Sequence, residues 1–386
     1  MINIQDKSEC CGCHACYNIC PTGAITMEED EKGFKYPVIN IEKCINCGAC
    51  EKVCPILKKN IIEKQDFPKA YACKNKNDQI RMKSSSGGIF TLIAKAILEL
   101  DGIVFGAEFN DEYNVIHSYV NNEVNLSKFR GSKYLQSTIG DTYKKAKEFL
   151  DSGRYVLFTG TPCQIEGLKT YLRKDYEKLY TQDIICHGVP SPKVWKKYVQ
   201  ELNEKNEAIP KEVNFRKKDN TGWTSFQLSM KYDKSEYVKT HEKDAYMQLF
   251  LKDLILRDSC YDCKFKKKNR LSDITLADFW GIRNIRLDMD DDKGTSLIII
   301  NSEKGKELLN KIEDEIEKEK VNFEEAIKYN QSMIKSAQMP KQREDVFKNL
   351  ENESIDELVK KYIPQPSMIR RILGKIKRRI KKIIKK

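Results

Sequence analysis

Between positions 24 and 40 apolar and polar residues alternate on both sides of Lys32 and Gly33, which predicts a β-hairpin. From position 69 the pattern becomes that of a mixed α/β unit. KAYACK (69–74) and 102–109 read as strands. Between them Ile89, Phe90, Ile93, Ala96, Ile97 and Leu100 fall on one face of a helix. Further strands are predicted at 154–160, 179–188, 213–217, 224–232, 274–279 and 295–301. The strand at 154–160 runs through a turn into a helix at TPCQIEGLKTYL. Pro190 and Pro192 open a helix that carries Trp195 and Tyr198. Helices are predicted over 303–319 and 323–336, and 61–68 reads as a linker. The longest apolar runs, such as 297–300, are strand-sized, so no spanning helix is predicted.

A different period appears at 367–386. Ile369, Ile372, Leu373, Ile376, Ile380, Ile383 and Ile384 form one helical stripe, and the other positions are strongly basic. Such a helix suits an anionic membrane surface. A partner-binding helix, a nucleic-acid contact and a solvated end are the alternatives. The charge balance sharpens this reading. The chain of 386 residues carries a formal +12, and ten basic residues without an acid lie in its last twenty positions. The rest is therefore near +2, which argues against nucleic acid as a partner. The start MINIQDKSECC lacks the apolar core of a secretory signal. The expected location is the cytoplasm, with the tail resting on the inner face of the membrane. The excess of Lys over Arg fits an AT-rich anaerobe.

The fourteen cysteines point to metal or redox chemistry, because a reducing compartment disfavours disulfides. Eight form two copies of C-x2-C-x2-C-x3-C-P: Cys10, Cys13, Cys16, Cys20 and then Cys44, Cys47, Cys50, Cys54. Three thiolates in such a run wrap one cubane, and the fourth reaches the other. Cys10, Cys13, Cys16 and Cys54 are thus expected to hold one 4Fe–4S cluster. Cys44, Cys47, Cys50 and Cys20 are expected to hold the second. Zinc asks for two pairs of ligands rather than a repeated run of four. Cys11 fits neither register and reads as a bystander. Residues 1–60 resemble a bacterial-type two-cluster ferredoxin domain. Outside this segment, Cys163 and Cys186 sit where strands end, and Cys260 and Cys263 make a C-x2-C pair. These four suit a third 4Fe–4S cluster, a zinc clip, or buried packing as small hydrophobes.

Several loops carry groups suited to a phosphate-bearing cofactor. Ser85, Ser86, Gly87 and Gly88 open a helix, whose free amides favour an anion, although a serine there can simply be a cap. Arg130, Ser132 and Lys133 place two cations in one turn, as a solvated loop also would. Thr161 and Gln164 flank Cys163 in a tight strand-to-helix turn. Asp278, Phe279, Trp280 and Gly281 end a strand, with core packing the plain reading for Phe279. His187 reads as a ligand, an acid or a structural histidine.

SSSGGIF, RGSKYLQS, LFTGTPCQIEGLK, DIICHGVPSP, CYDCKF, DITLADFWG and DKGTSLIIIN follow one another over 84–301. This series resembles the coenzyme F-420 hydrogenase/dehydrogenase beta-subunit family. The resemblance covers roughly 69–336. It implies an FAD-binding flavoprotein, with flavin contacts at Ser85, Ser86, Gly87, Gly88, Arg130, Ser132, Lys133, Thr161 and Gln164. It makes Cys163, Cys186, Cys260 and Cys263 candidate ligands of the extra cluster. The resemblance does not fix the substrate, and no catalytic acid or base stands out.

The expected architecture is an α+β ferredoxin-like domain followed by a mixed α/β domain, with a C-terminal amphipathic basic helix. Its parts are the 1–60 dicluster domain, two halves of the beta-subunit module at 69–150 and 151–336, a helical extension at 337–366, and the tail at 367–386. The expected function is that of an iron–sulfur flavoprotein oxidoreductase. It would pass electrons between a two-electron carrier, deazaflavin F-420 or similar, and one-electron clusters that serve a partner oxidoreductase. The alternative is a reductase or electron-transfer adaptor serving membrane-associated glycan or polysaccharide biosynthesis.

Overall fold

The computed structural model describes residues 1–58 and 68–364. Most of the predicted linker and the whole basic tail lie outside the described residues.

In the N-terminal segment the alternating stretch forms the expected hairpin: β1 (Ile25–Glu29) pairs antiparallel with β2 (Lys35–Ile39). Two short helices, Ala15–Ile19 and Ala49–Lys52, each begin inside one cysteine run. Left-handed residues recur at matching places in the two runs. Gly12 and Asn46 precede the second cysteine of each run, with φ of 67° and 53°. His14 and Gly48 follow it, with φ of 62° and 69°. Only glycine adopts this backbone without strain, so the recurrence at His14 and Asn46 marks a shared loop geometry.

The rest is built on one eight-stranded mixed sheet. Its first five strands are β3 (Lys69–Asn75), β4 (Ile103–Phe109), β5 (Val115–Val120), β6 (Val156–Thr159) and β7 (Leu179–Ile184). A three-stranded antiparallel sheet, β8 (Glu212–Lys217), β9 (Gln227–Lys231) and β10 (Glu236–Thr240), stands apart. The chain re-enters the large sheet with β11 (Ile274–Asp278) and β12 (Ser296–Ile300) and ends it with β13 (Ile316–Val321). The order is β13-β3-β12-β11-β7-β6-β4-β5. β11, β7, β6 and β4 are mutually parallel, flanked by antiparallel strands on both edges. β6 and β12 are buried along their whole length, as central strands covered on both faces must be. β3 lies between β13 and β12, so strands from both sides of position 150 share this sheet.

Two predicted helices are shorter than expected. The helix at 303–319 stops at Lys311, and IEKEKV becomes the edge strand β13. Lys and Glu favour helices in isolation. At a sheet edge they point to water and shield the strand from further pairing. The helix at 323–336 ends at Lys328. Helices unseen in the sequence include Thr142–Asp151 and Ala245–Leu251, whereas Arg343–Asn349 and Ile355–Tyr362 fall in the expected helical extension. Among the described residues no helix is long and apolar enough to cross a membrane.

Candidate metal centres and cofactor loops

The first cysteine run wraps a cavity of about 350 Å3, walled by Cys10, Cys13, Cys16 and Cys54. These are the four assigned to one cubane by spacing, and Cys54 comes from the second run. Cys20 and Cys50 pack together with Cys16 and Cys54 in one small cluster around Ile2 and Ile25. Backbone amides point at sulfur here: Ile2 N–H donates to Cys50 Sγ at 3.3 Å, and Ala24 N–H to Cys20 Sγ at 3.3 Å. Burial raises the Cys20 pKa, yet the Thr22 hydroxyl and nearby amides overcome it and hold the thiol below its usual range. Cys47 is exposed, so this end of the segment faces solvent.

A second cavity, of about 550 Å3, brings together Cys163, Cys186, Cys260 and Cys263. Cys163 follows β6, Cys186 follows β7, and the other two come from the loop before β11. The parallel strands end at this opening, where α/β sheets place their sites. Val189 N–H donates to Cys260 Sγ at 3.4 Å, and Thr161 Oγ1 lies 3.1 Å from Cys163 Sγ. Burial pushes Cys186 up to about 12 against the pull of Lys266. Contact with Cys11 and burial also drive Cys163 upward. Thiols placed this way become thiolates together only around a bound cation. Among the described residues no three His, Cys, Asp or Glu side chains converge on a single-ion site. Tetrahedral zinc would want its sulfurs roughly 3.8 Å apart. A cubane spreads its ligands over four irons and takes an all-thiolate donor set, which the four cysteines lining this cavity offer.

Cys11, which belongs to neither cysteine run, has a defined place in the structure. It is buried and lines both cavities, between the dicluster segment and the sheet. The only trace in the sequence is its adjacency to Cys10. His187 takes the structural reading: its ring nitrogens face Asp253 Oδ1 at 2.5 Å and Ser332 Oγ at 3.3 Å. Phe279 is fully buried, and Trp280 stacks on Trp223 at 5.0 Å.

The predicted cofactor loops fall into two groups. Ser85 and Ser132 meet directly, the Ser132 amide donating to Ser85 Oγ at 2.7 Å. Ser86 and Gly87 face the sheet instead: Ser86 Oγ donates to Thr295 O, and Gly87 N–H donates to Ser296 Oγ. Gly88 is the left-handed cap of helix Ile89–Leu98, with φ of 80°. Arg130 Nε donates to Thr91 Oγ1 at 3.1 Å, and enclosure lowers the Lys133 pKa to about 8. Thr161 and Gln164 bond to each other as a capping box, and Gln164 Nε2 reaches Ser137 Oγ at 2.9 Å. Sequence reasoning missed what pins the serine loop. Arg216, paired with Asp278, donates to Ser85 O at 3.2 Å, and Lys218 donates to Ser86 O at 3.0 Å. Both sit on or just after β8, whose alternation carried no sign of them.

Comparison with known proteins accounts for both halves of this arrangement. Residues 9–56 match the 4Fe-4S dicluster domain. Residues 153–326 match the C terminus of the coenzyme F420 hydrogenase/dehydrogenase beta subunit. Over these residues the chain is similar to the coenzyme F420 hydrogenase/dehydrogenase beta-subunit family. All four cysteines of the larger cavity fall inside the beta-subunit match, and all eight repeated cysteines inside the dicluster match. The chain is 27% identical over 349 residues to the coenzyme F420-dependent sulfite reductase of Methanocaldococcus jannaschii. That alignment covers 86% of this chain and 50% of the reductase, so the chain spans about half the length of that relative. A chain of the F420-reducing [NiFe] hydrogenase complex from Methanosarcina barkeri is also similar, at 18% identity and a TM-score of 0.47. The superposition covers 70% of this chain and 93% of that one.

Proposed function

We propose that this protein is an iron–sulfur flavoprotein oxidoreductase. It exchanges electrons between a two-electron carrier of the deazaflavin F420 class and a one-electron partner protein. The observation that carries this reading is the shared wall at Cys11. The cavity of the first cysteine set and the cavity at the ends of β6 and β7 adjoin there. The cysteine sets thus form one series from exposed Cys47 to the mouth of the parallel sheet.

Bound FAD would supply the conversion between hydride and single electrons, and the cubanes would supply one-electron storage. The residues have separate tasks. Arg130 and Lys133 offer two cations to the cofactor's diphosphate. Ser85 and Ser132 tie the two loops that would hold it. Thr161 and Gln164 fix the turn that presents Cys163. Amides directed at Cys20, Cys50 and Cys260 stabilise sulfur charge and so tune potential.

The test is anaerobic purification with iron and sulfide counted and flavin extracted, followed by an assay of deazaflavin reduction. About twelve irons per chain support three cubanes, and about eight leave only the dicluster pair. A preparation that rebinds no flavin after reconstitution sinks the flavoprotein reading. We read the tail at 367–386 as a membrane-surface helix on its sequence alone. Equal sedimentation with anionic vesicles by the full chain and by a chain ending at Pro366 overturns that.

A further inference from the structure

Arg257 is completely buried. Five arginines are buried among the described residues, and four hold a carboxylate. Arg81 pairs with Asp291 at 2.5 Å, Arg216 with Asp278 at 2.9 Å, Arg270 with Asp183 at 3.2 Å and Arg343 with Asp258 at 2.9 Å. Arg257 holds none. Its donors all go to neutral oxygens: Nε to Cys10 O at 2.8 Å, Nη1 to Gln136 Oε1 at 2.9 Å, and Nη2 to Lys35 O at 3.0 Å. The nearest acid in sequence, Asp258, is taken up by Arg343 and Lys32. A permanent charge out of water without a counter-charge is strongly disfavoured. The ring faces of Tyr36 and Phe34, 4.1 Å and 5.5 Å from its guanidinium, offset part of that cost, and an anion in the working protein would balance the rest.

Its surroundings indicate what. The side chain bonds the carbonyl of Cys10, and the peptide carbonyl of Arg257 accepts the Cys260 amide at 2.9 Å. One residue thus joins a ligand of the first cysteine set to a ligand of the third. The first cysteine loop makes room for it. A Cβ at Gly12 would lie 2.9 Å from Arg257 Nη1 and 2.7 Å from Gln136 Nε2. A cubane held by four thiolates is an anion and gains charge on reduction.

We infer that Arg257 is the shared counter-charge of the two clusters at Cys10 and Cys260, a positioning residue that favours their reduced states. It therefore raises both reduction potentials together and holds the two ligand loops in one register. The second dicluster site, at Cys20, Cys44, Cys47 and Cys50, lies outside its contacts and is not tuned by it. The inference rests on the cluster assignment proposed above.

The experiment is a redox titration of the anaerobically purified full chain, followed by electron paramagnetic resonance, for wild type, Arg257→Gln and Arg257→Lys. In Arg257→Gln the two neighbouring clusters are expected to become harder to reduce. At fixed potential their reduced-to-oxidised ratio should fall about tenfold, which is 59 mV for one electron. The outer cluster should not move, and Arg257→Lys should restore most of the shift. Unmoved potentials in iron-replete Arg257→Gln overturn the inference. If the glutamine variant does not fold, the lysine variant carries the test. It should keep wild-type potentials while melting at a lower temperature, and potentials that fall with stability overturn the inference. A wild-type count near eight irons defeats the three-cluster reading instead, and the shift at the Cys10 cluster alone then decides the role of Arg257.

Discussion

Ser132 donates its backbone N–H to the hydroxyl of Ser85 at 2.7 Å, and its own hydroxyl lies 2.9 Å from the same oxygen. This contact closes the loop before helix Ile89–Leu98 onto the loop carrying Arg130 and Lys133. If these loops hold FAD, Ser85→Ala leaves the Ser132 amide without that acceptor. The loss of about 1–1.5 kcal/mol corresponds to roughly tenfold weaker flavin retention. Equilibrium dialysis of the reconstituted protein measures it, and unchanged retention would place the flavin elsewhere.

Cys260 lies in the larger cavity with Cys163, Cys186 and Cys263, well away in sequence from the repeated runs. Cys260→Ser should therefore remove about four irons per chain and leave the dicluster's share in place. Iron and sulfide analysis beside the resonance spectrum of the reduced protein distinguishes this from general loss. Loss of all iron in this variant would show that the two segments do not load separately.

Gly87 has no room for a side chain. A Cβ there would meet Cys73 O at 2.5 Å and Ser296 N at 2.8 Å, both backbone atoms of the central sheet. Neither can retreat without disturbing the β3–β12 pairing. Gly87→Ala should cost about 1–3 kcal/mol and lower the melting temperature by several degrees. A melting curve matching wild type would mean that the loop shifts freely. This packing demand accounts for the glycine whether or not a cofactor binds.

His117 is buried on β5, with Nε2 donating to Thr159 O at 3.0 Å. Burial lowers its pKa to about 4, against a smaller opposing effect of that bond. Between about 4 and 6.5 the unfolded chain binds the proton and the folded chain does not. Stability is thus fully present above 6.5 and is lost as pH falls towards 4, by about 3 kcal/mol at most. His117→Gln keeps a donor for Thr159 O and cannot titrate. Its urea midpoints should fall less steeply with acid than those of wild type. Parallel slopes would assign the acid sensitivity to other groups.

Much of the site was legible because it is local. The two four-cysteine runs, the hairpin between them and the turn from β6 into Cys163 depend on spacings of a few residues. The same holds for the resemblance that carried Ser85 and Ser132. What misled was also local. IEKEKV has the composition of a helix, and only a place at the sheet edge makes it β13. Cys11 could not be placed from spacing, because its role as a wall depends on where the dicluster segment docks.

The sequence by itself determined which cysteines form runs, where the parallel strands lie, and that the charge of +12 is concentrated in the last twenty positions. The tertiary structure decided that Cys163, Cys186, Cys260 and Cys263, grouped in the sequence only as candidates, share one cavity, and it alone showed that Cys11 adjoins two cavities. It alone buried Arg257 between Cys10 and Cys260 without a carboxylate. The physical reason is one of range. Periodicity and ligand spacing act along a few turns of chain. Strand order and the docking of one segment on another bring together residues hundreds of positions apart, and no local pattern encodes which of them will share a cavity or a charge.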